Sequence, residues 1–126
     1  MQFPDHYPEQ CPPDDSQPAS GAVYHLVEAI PPLPTDCRSW YEQGLECRSK
    51  PCQARGLSVY RDIGSVKTMR AAYSRFRKWQ IGVADLDPSC GRLKHTPSKL
   101  TEGHMTWWAA SDVDPRSLIQ PCAEEE

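Results

Sequence analysis

Residues 64–80 read Gly64-Ser65-Val66-Lys67-Thr68-Met69-Arg70-Ala71-Ala72-Tyr73-Ser74-Arg75-Phe76-Arg77-Lys78-Trp79-Gln80. At 100° per residue, Val66, Met69, Ala72, Tyr73, Phe76 and Trp79 fall within an arc of about 140°. Lys67, Arg70, Arg75, Arg77 and Lys78 fall on an opposing arc of about 160°. The pattern predicts an amphipathic helix over residues 65–80, with Ser65 as its N-cap. Its apolar stripe needs a sheet to lie on, and its basic stripe faces water or something anionic.

The neighbouring segments supply strands. Residues 57–61 (Leu57-Ser58-Val59-Tyr60-Arg61) lead into the helix, and residues 81–86 follow it closely. Asp87-Pro88-Ser89-Cys90-Gly91 has strong turn chemistry, so residues 92–96 are expected to form a hairpin with 81–86. Residues 97–103 read as a loop, and residues 104–109 as a last strand. Upstream, residues 21–30 alternate as a first strand that Pro31 and Pro32 end. Residues 31–55 are irregular, with a short helix expected over 36–43 and Gly44 as its stop. The expected fold is α+β: a small curled, mostly antiparallel sheet with one main amphipathic helix.

A chain of 126 residues, 38% hydrophobic and 25% charged, fits one domain with a real core. Eight of the 13 prolines precede residue 35. Residues 1–20 therefore read as a disordered or draped Pro-rich acidic leader, residues 21–111 as the domain, and residues 112–126 as an acidic tail. The net charge of −3 hides a body of net +5 between two ends of −4 each. That balance disfavours a dedicated duplex nucleic-acid binder. The longest apolar stretch, around residues 22–33, is interrupted by His25, Glu28 and prolines and is too short to span a bilayer. No basic, then apolar, leader pattern opens the sequence, so the expected location is cytoplasmic. Six cysteines are accordingly read mostly as thiols.

The candidate chemistry is sparse. Cys47-x4-Cys52 and Cys90-x4-His95 are equally spaced pairs that could supply four zinc ligands, though four intervening residues is at the long edge of such spacings. Ordinary reduced cysteines are the leading reading. Trp107 and Trp108 point to opposite faces of a strand, each suited to filling a core or stacking on a ring. With Arg61, Arg70 and Arg77 they are the candidate binding residues. No phosphate loop, dinucleotide fingerprint or hydrolase motif occurs.

A first strand carrying Tyr24-His25, an irregular polar segment, then a strand with Ser58 and Tyr60 running into a helix resembles the split-sheet core of ADP-ribosyltransferase-like domains. The resemblance covers residues 22–109. It implies an NAD cleft lined by His25, Ser58 and Tyr60. The late-strand glutamate of that family has no counterpart, so His104 would stand in for it.

Two functions follow as expectations. The first is a small intracellular partner-binding protein, accessory or inhibitory, of the kind found in mobile-element or conflict systems; its partner is another protein and it needs no cofactor. The second is a minimal NAD- or nucleotide-processing enzyme built on His25, Ser58, Tyr60 and His104.

Overall fold

The computed structural model describes residues 1–45 and 49–123. At its centre, β2 (Gly21–Val27) pairs along its whole length with β4 (Gln80–Leu86), from Gly21 opposite Leu86 to Val27 opposite Gln80. On its other side β2 meets β3 (Leu57–Tyr60), which pairs in turn with β6 (His104–Ala109). β5 (Gly91–His95) follows β6, and two-residue strands finish both edges: β1 (Gln17–Pro18) beside β5 and β7 (Gln120–Pro121) beside β4. The order is β1-β5-β6-β3-β2-β4-β7, antiparallel at every step. This is the expected α+β class.

Three expectations change. The hairpin of residues 81–86 with 92–96 does not form, because β5 lies between β1 and β6, away from β4. The turn at Pro88–Cys90 is a 3-10 turn ending on Gly91, whose φ of 123° swings the chain across the sheet. A Cβ at Gly91 would lie 2.0 Å from the Trp108 carbonyl, so the sheet comes too close for a side chain there.

The main helix is displaced and shorter than residues 65–80. After the short α1 (Pro51–Arg55), α2 spans Ile63–Ala72, and its N-cap is Asp62, whose Oδ1 accepts from the Ser65 amide at 2.7 Å. Ser65 is thus the receiver of the cap. The helix stops because Tyr73 is extended (φ −126°, ψ 127°), and Ser74–Phe76 then make a 3-10 turn. Aromatic and hydroxyl residues hold a helix weakly. Here Tyr73, Phe76 and Trp79 pack on one another instead, with ring centroids 5.7 and 4.7 Å apart.

The third change is in residues 34–43. A 3-10 turn at Pro34–Cys37 replaces the expected helix, and the Asp36 carboxylate, 6% exposed, accepts from the Glu28 and Leu33 amides at 2.8 and 2.7 Å. That clasp stops β2 at Val27.

Strand alternation divides the core in two. One face carries Val23, Val27, Leu57, Val59, Ala84, Leu86, Leu93 and Trp107, closed by Ile30, Cys37, Val113, Leu118 and Ile119 from loops and short helical turns. The other carries Leu26, Tyr60 and Ile81 under Val66, Ile63 and Met69 of α2. β3 and β4 lie either side of β2, and α2 crosses over between them.

The leader packs onto this structure. Ala19 and Ser16 are buried, and Arg92 holds Ser16 by its Nε on Oγ at 2.7 Å and its Nη2 on the carbonyl. Cys11 is bonded to Cys52, correcting for those two residues the reading of the cysteines as thiols; Cys37, Cys90 and Cys122 are free. No helix among the described residues is long and apolar enough to cross a membrane.

Candidate functional site

The residues singled out from the sequence do not converge. His25 lies on the loop-covered face of β2, whereas Tyr60 and His104 lie on the α2 face. Both His25 ring nitrogens face backbone carbonyls: Nδ1 the Ser58 oxygen at 2.8 Å and Nε2 the Asp36 oxygen at 2.5 Å. Burial lowers the His25 pKa, while the two carbonyls and the Asp36 charge pull the other way. Its place between two strands and a turn is that of a structural clasp. Ser58 offers it a carbonyl, not its hydroxyl.

Tyr60 and His104 do meet, edge to face at 5.5 Å. Burial pushes the Tyr60 phenol up to about 12. Burial lowers the His104 pKa, His95 and Lys50 adding to the effect, while the Thr96 carbonyl 2.9 Å from Nδ1 opposes it. Trp107 and Trp108 are each 1% exposed, and their indole N–H groups donate to the Cys90 and Cys52 carbonyls at 3.0 and 2.9 Å. Both rings are packed inside. Arg61 pairs with Glu102 and approaches Asp62, while Arg70 donates to the Trp79 carbonyl at 3.3 Å. Arg77 is exposed.

The zinc candidates are also dispersed. The Cys52 sulfur is taken by Cys11, and Cys47 lies outside the described residues. Cys90 and His95 flank the length of β5, a rise of roughly 16 Å. That is too far for one ion to bridge. Among the described residues no group of three or more His, Cys, Asp or Glu could hold a metal.

The concave feature lies elsewhere, on the loop-covered face. A cleft of about 380 Å³ opens between Pro4–Tyr7 of the leader, residues 34–42 and residues 110–116, over Leu57, Trp107 and Ala109. Three arginines line it: Arg38, Arg55 and Arg116. Arg55 lies over the Tyr41 ring at 4.2 Å and donates through Nε to the His6 carbonyl at 3.3 Å and through Nη1 to the Pro51 carbonyl at 2.9 Å. His6 stacks on Tyr41 with centroids 4.5 Å apart, which pins the leader over the cleft. Among the described residues Arg116 uses only Nε, on the Pro32 carbonyl at 3.3 Å. Arg38 has no acidic partner among the described residues. Glu42 and Asp114 are the acids of the lining.

Two ionisable groups in the cleft are held neutral. Burial, reinforced by Glu42, pushes Tyr7 up to about 12. Burial, with Asp36 and Asp114 adding, pushes the Cys37 thiol up to about 12, so Cys37 is not a thiolate nucleophile. The arrangement is equipped to hold an anion against an apolar floor.

Sequence reasoning passed over this cleft because its walls come from segments that read as loose ends. The available signal was the even cysteine count, which allows a bridge from the leader to residue 52, together with Phe3, His6 and Tyr7, aromatic rings a solvated tail has no use for. No family model, no curated protein and no solved structure matches this chain.

Proposed function

We propose that this chain is a small partner-binding protein, accessory or inhibitory, whose cleft receives an acidic side chain or segment of another protein. The observation that carries this reading is the unused donor capacity of the cleft. Among the described residues Arg38 has no acidic partner, and the terminal guanidinium nitrogens of Arg116 meet no carbonyl. Guanidinium groups beside an apolar floor suit a carboxylate, which they can grip in a two-pronged fashion. The Cys11–Cys52 bridge favours an oxidising compartment over the cytoplasmic location that the sequence led us to expect.

The test is a titration of a fluorescent Asp/Glu-rich peptide, followed by anisotropy, against the wild type and an Arg38→Glu/Arg116→Glu variant. Both substitutions are at exposed positions. The variant should bind at least about tenfold more weakly, the effect of losing two charge-assisted contacts. Equal binding by both proteins sinks the reading.

The alternative, an ADP-ribosyltransferase-like enzyme, draws on the Tyr60–His104 contact. Calorimetric titration with NAD separates the two. Saturable heat that a His104→Ala change removes would favour the enzyme, and silence at millimolar NAD would end it.

A further inference from the structure

The leader is fastened to the body at separate points. The Gln2 carbonyl accepts from the Ser111 amide at 2.9 Å and from its hydroxyl at 3.2 Å. The His6 ring stacks on Tyr41, and its carbonyl takes the Arg55 Nε. Cys11 is bonded to Cys52, and Ser16 is held by Arg92. Along this path Pro4, His6 and Tyr7 form one wall of the cleft.

One short element carries two of the fastenings. Cys52 and Arg55 lie three positions apart on α1, hence on one side of a helical turn, and both reach the leader. α1 is in turn tied to the sheet through the Cys52 carbonyl, which accepts from the buried Trp108 indole at 2.9 Å. The ring stack and the hydrogen bonds open and close on their own. The sulfur–sulfur bond opens only by chemistry. Cys11 and Cys52 are both half-buried, which leaves the bond within reach of a small dithiol while the chain stays folded.

From this arrangement we infer that the Cys11–Cys52 bond is a redox latch on the cleft. Oxidised, it holds the leader as a wall over the floor of Leu57 and Trp107; reduced, it lets that wall swing out, and the cleft releases the acidic segment. The inference rests on the reading of the cleft as a site for such a segment. The step is a two-electron exchange with a dithiol. One of its thiolates attacks the bond, its second thiol closes it to a cyclic disulfide, and Cys11 and Cys52 become thiols that take up the dithiol's two protons. With the wall in place, arginine–carboxylate contacts form where water is partly excluded and charges attract more strongly. Without it they face open solvent.

The test is the anisotropy titration with the Asp/Glu-rich peptide, run on wild type before and after treatment with dithiothreitol and on a Cys11→Ser/Cys52→Ser variant. Reduced wild type and the variant should bind at least about fivefold more weakly than oxidised wild type. The near-ultraviolet circular dichroism of the folded core should persist in both. A second readout needs no peptide. Without reductant, iodoacetamide should modify Cys37, which lines the cleft, at least about fivefold faster in the variant than in wild type, as read by mass spectrometry. If oxidised wild type does not bind the peptide, or binds it no better than Arg38→Glu/Arg116→Glu, the acidic-segment reading falls alone and the latch is decided by Cys37. Equal modification of Cys37 in the two proteins overturns the latch. Equal or tighter peptide binding after reduction overturns it too, as does loss of the near-ultraviolet signal, which would make the bond a support of the whole fold.

Discussion

Over one face of the sheet lies α2, whose Ile63, Val66 and Met69 recur at helical spacing; over the other lie the leader, residues 30–37 and residues 110–119, where the helical pieces are the four-residue Pro34–Cys37 and Pro115–Leu118. The regular cover seals its face and presents charge outward. The irregular cover closes most of its face and leaves a cleft lined with arginines. A helix has one period and one apolar stripe, so it fits a sheet without gaps. Loops drawn from three parts of the chain fit only where particular side chains bridge them, and between those bridges a concavity remains.

The contrast can be tested hardest at the paired tryptophans, one on each face of β6. Trp107→Ala and Trp108→Ala should each cost about 3–5 kcal/mol in urea denaturation, as for other buried aromatic truncations. Only Trp107 floors the cleft, so Trp107→Phe, a gentler change, should lower acidic-peptide binding while Trp108→Phe leaves it intact. Equal binding by both would break the assignment of the cleft to one face.

The next effect is at the bridge. Cys11 and Cys52 are 41 residues apart in sequence, so Cys11→Ser should cost about 2–4 kcal/mol, mainly by freeing the unfolded chain. A thermal melt with and without reductant checks it: wild type should lose stability on reduction and the variant should not. If reduction leaves the wild-type melt unchanged, the bridge does not hold the leader in place.

The smallest effect sharpens the comparison on the helix-covered face. Burial holds His104 below the ordinary imidazole range, so the unfolded chain takes up its proton at higher pH than the folded chain does. Stability should be full above an imidazole pKa of about 6.5 and fall as the pH drops below it. His25, shifted in the same direction from the other face, adds to the fall. Denaturation midpoints at pH of about 7.5 and 5.5 for wild type and His104→Gln should show a shallower decline in the variant. An unchanged decline would place the whole effect on His25.

This asymmetry also explains what could be read in the sequence. The strands of the centre and the existence of α2 follow from alternation and helical spacing, which are local. The end of α2 at Ala72 does not, because it depends on Phe76 and Trp79 turning back onto the helix. The failed hairpin has the same origin. Turn chemistry at residues 87–91 marks a reversal but not which strand the chain returns to, and Gly91 with its close carbonyl sends it across the sheet. The cleft was the least legible part, since the Cys11–Cys52 bond, the His6–Tyr41 stack and the Arg116–Pro32 contact each join residues more than 30 positions apart.

The sheet borders β1 and β7 are both the dipeptide Gln-Pro, drawn from opposite ends of the chain. Proline has no amide hydrogen to offer a neighbour, so each border is a poor template for another molecule's strand. Trimming either terminus, or fusing a tag that pulls it away, would uncover β5 or β4 and invite self-association. The two Gln-Pro segments that look most dispensable are thus the covers of the sheet's two edge strands.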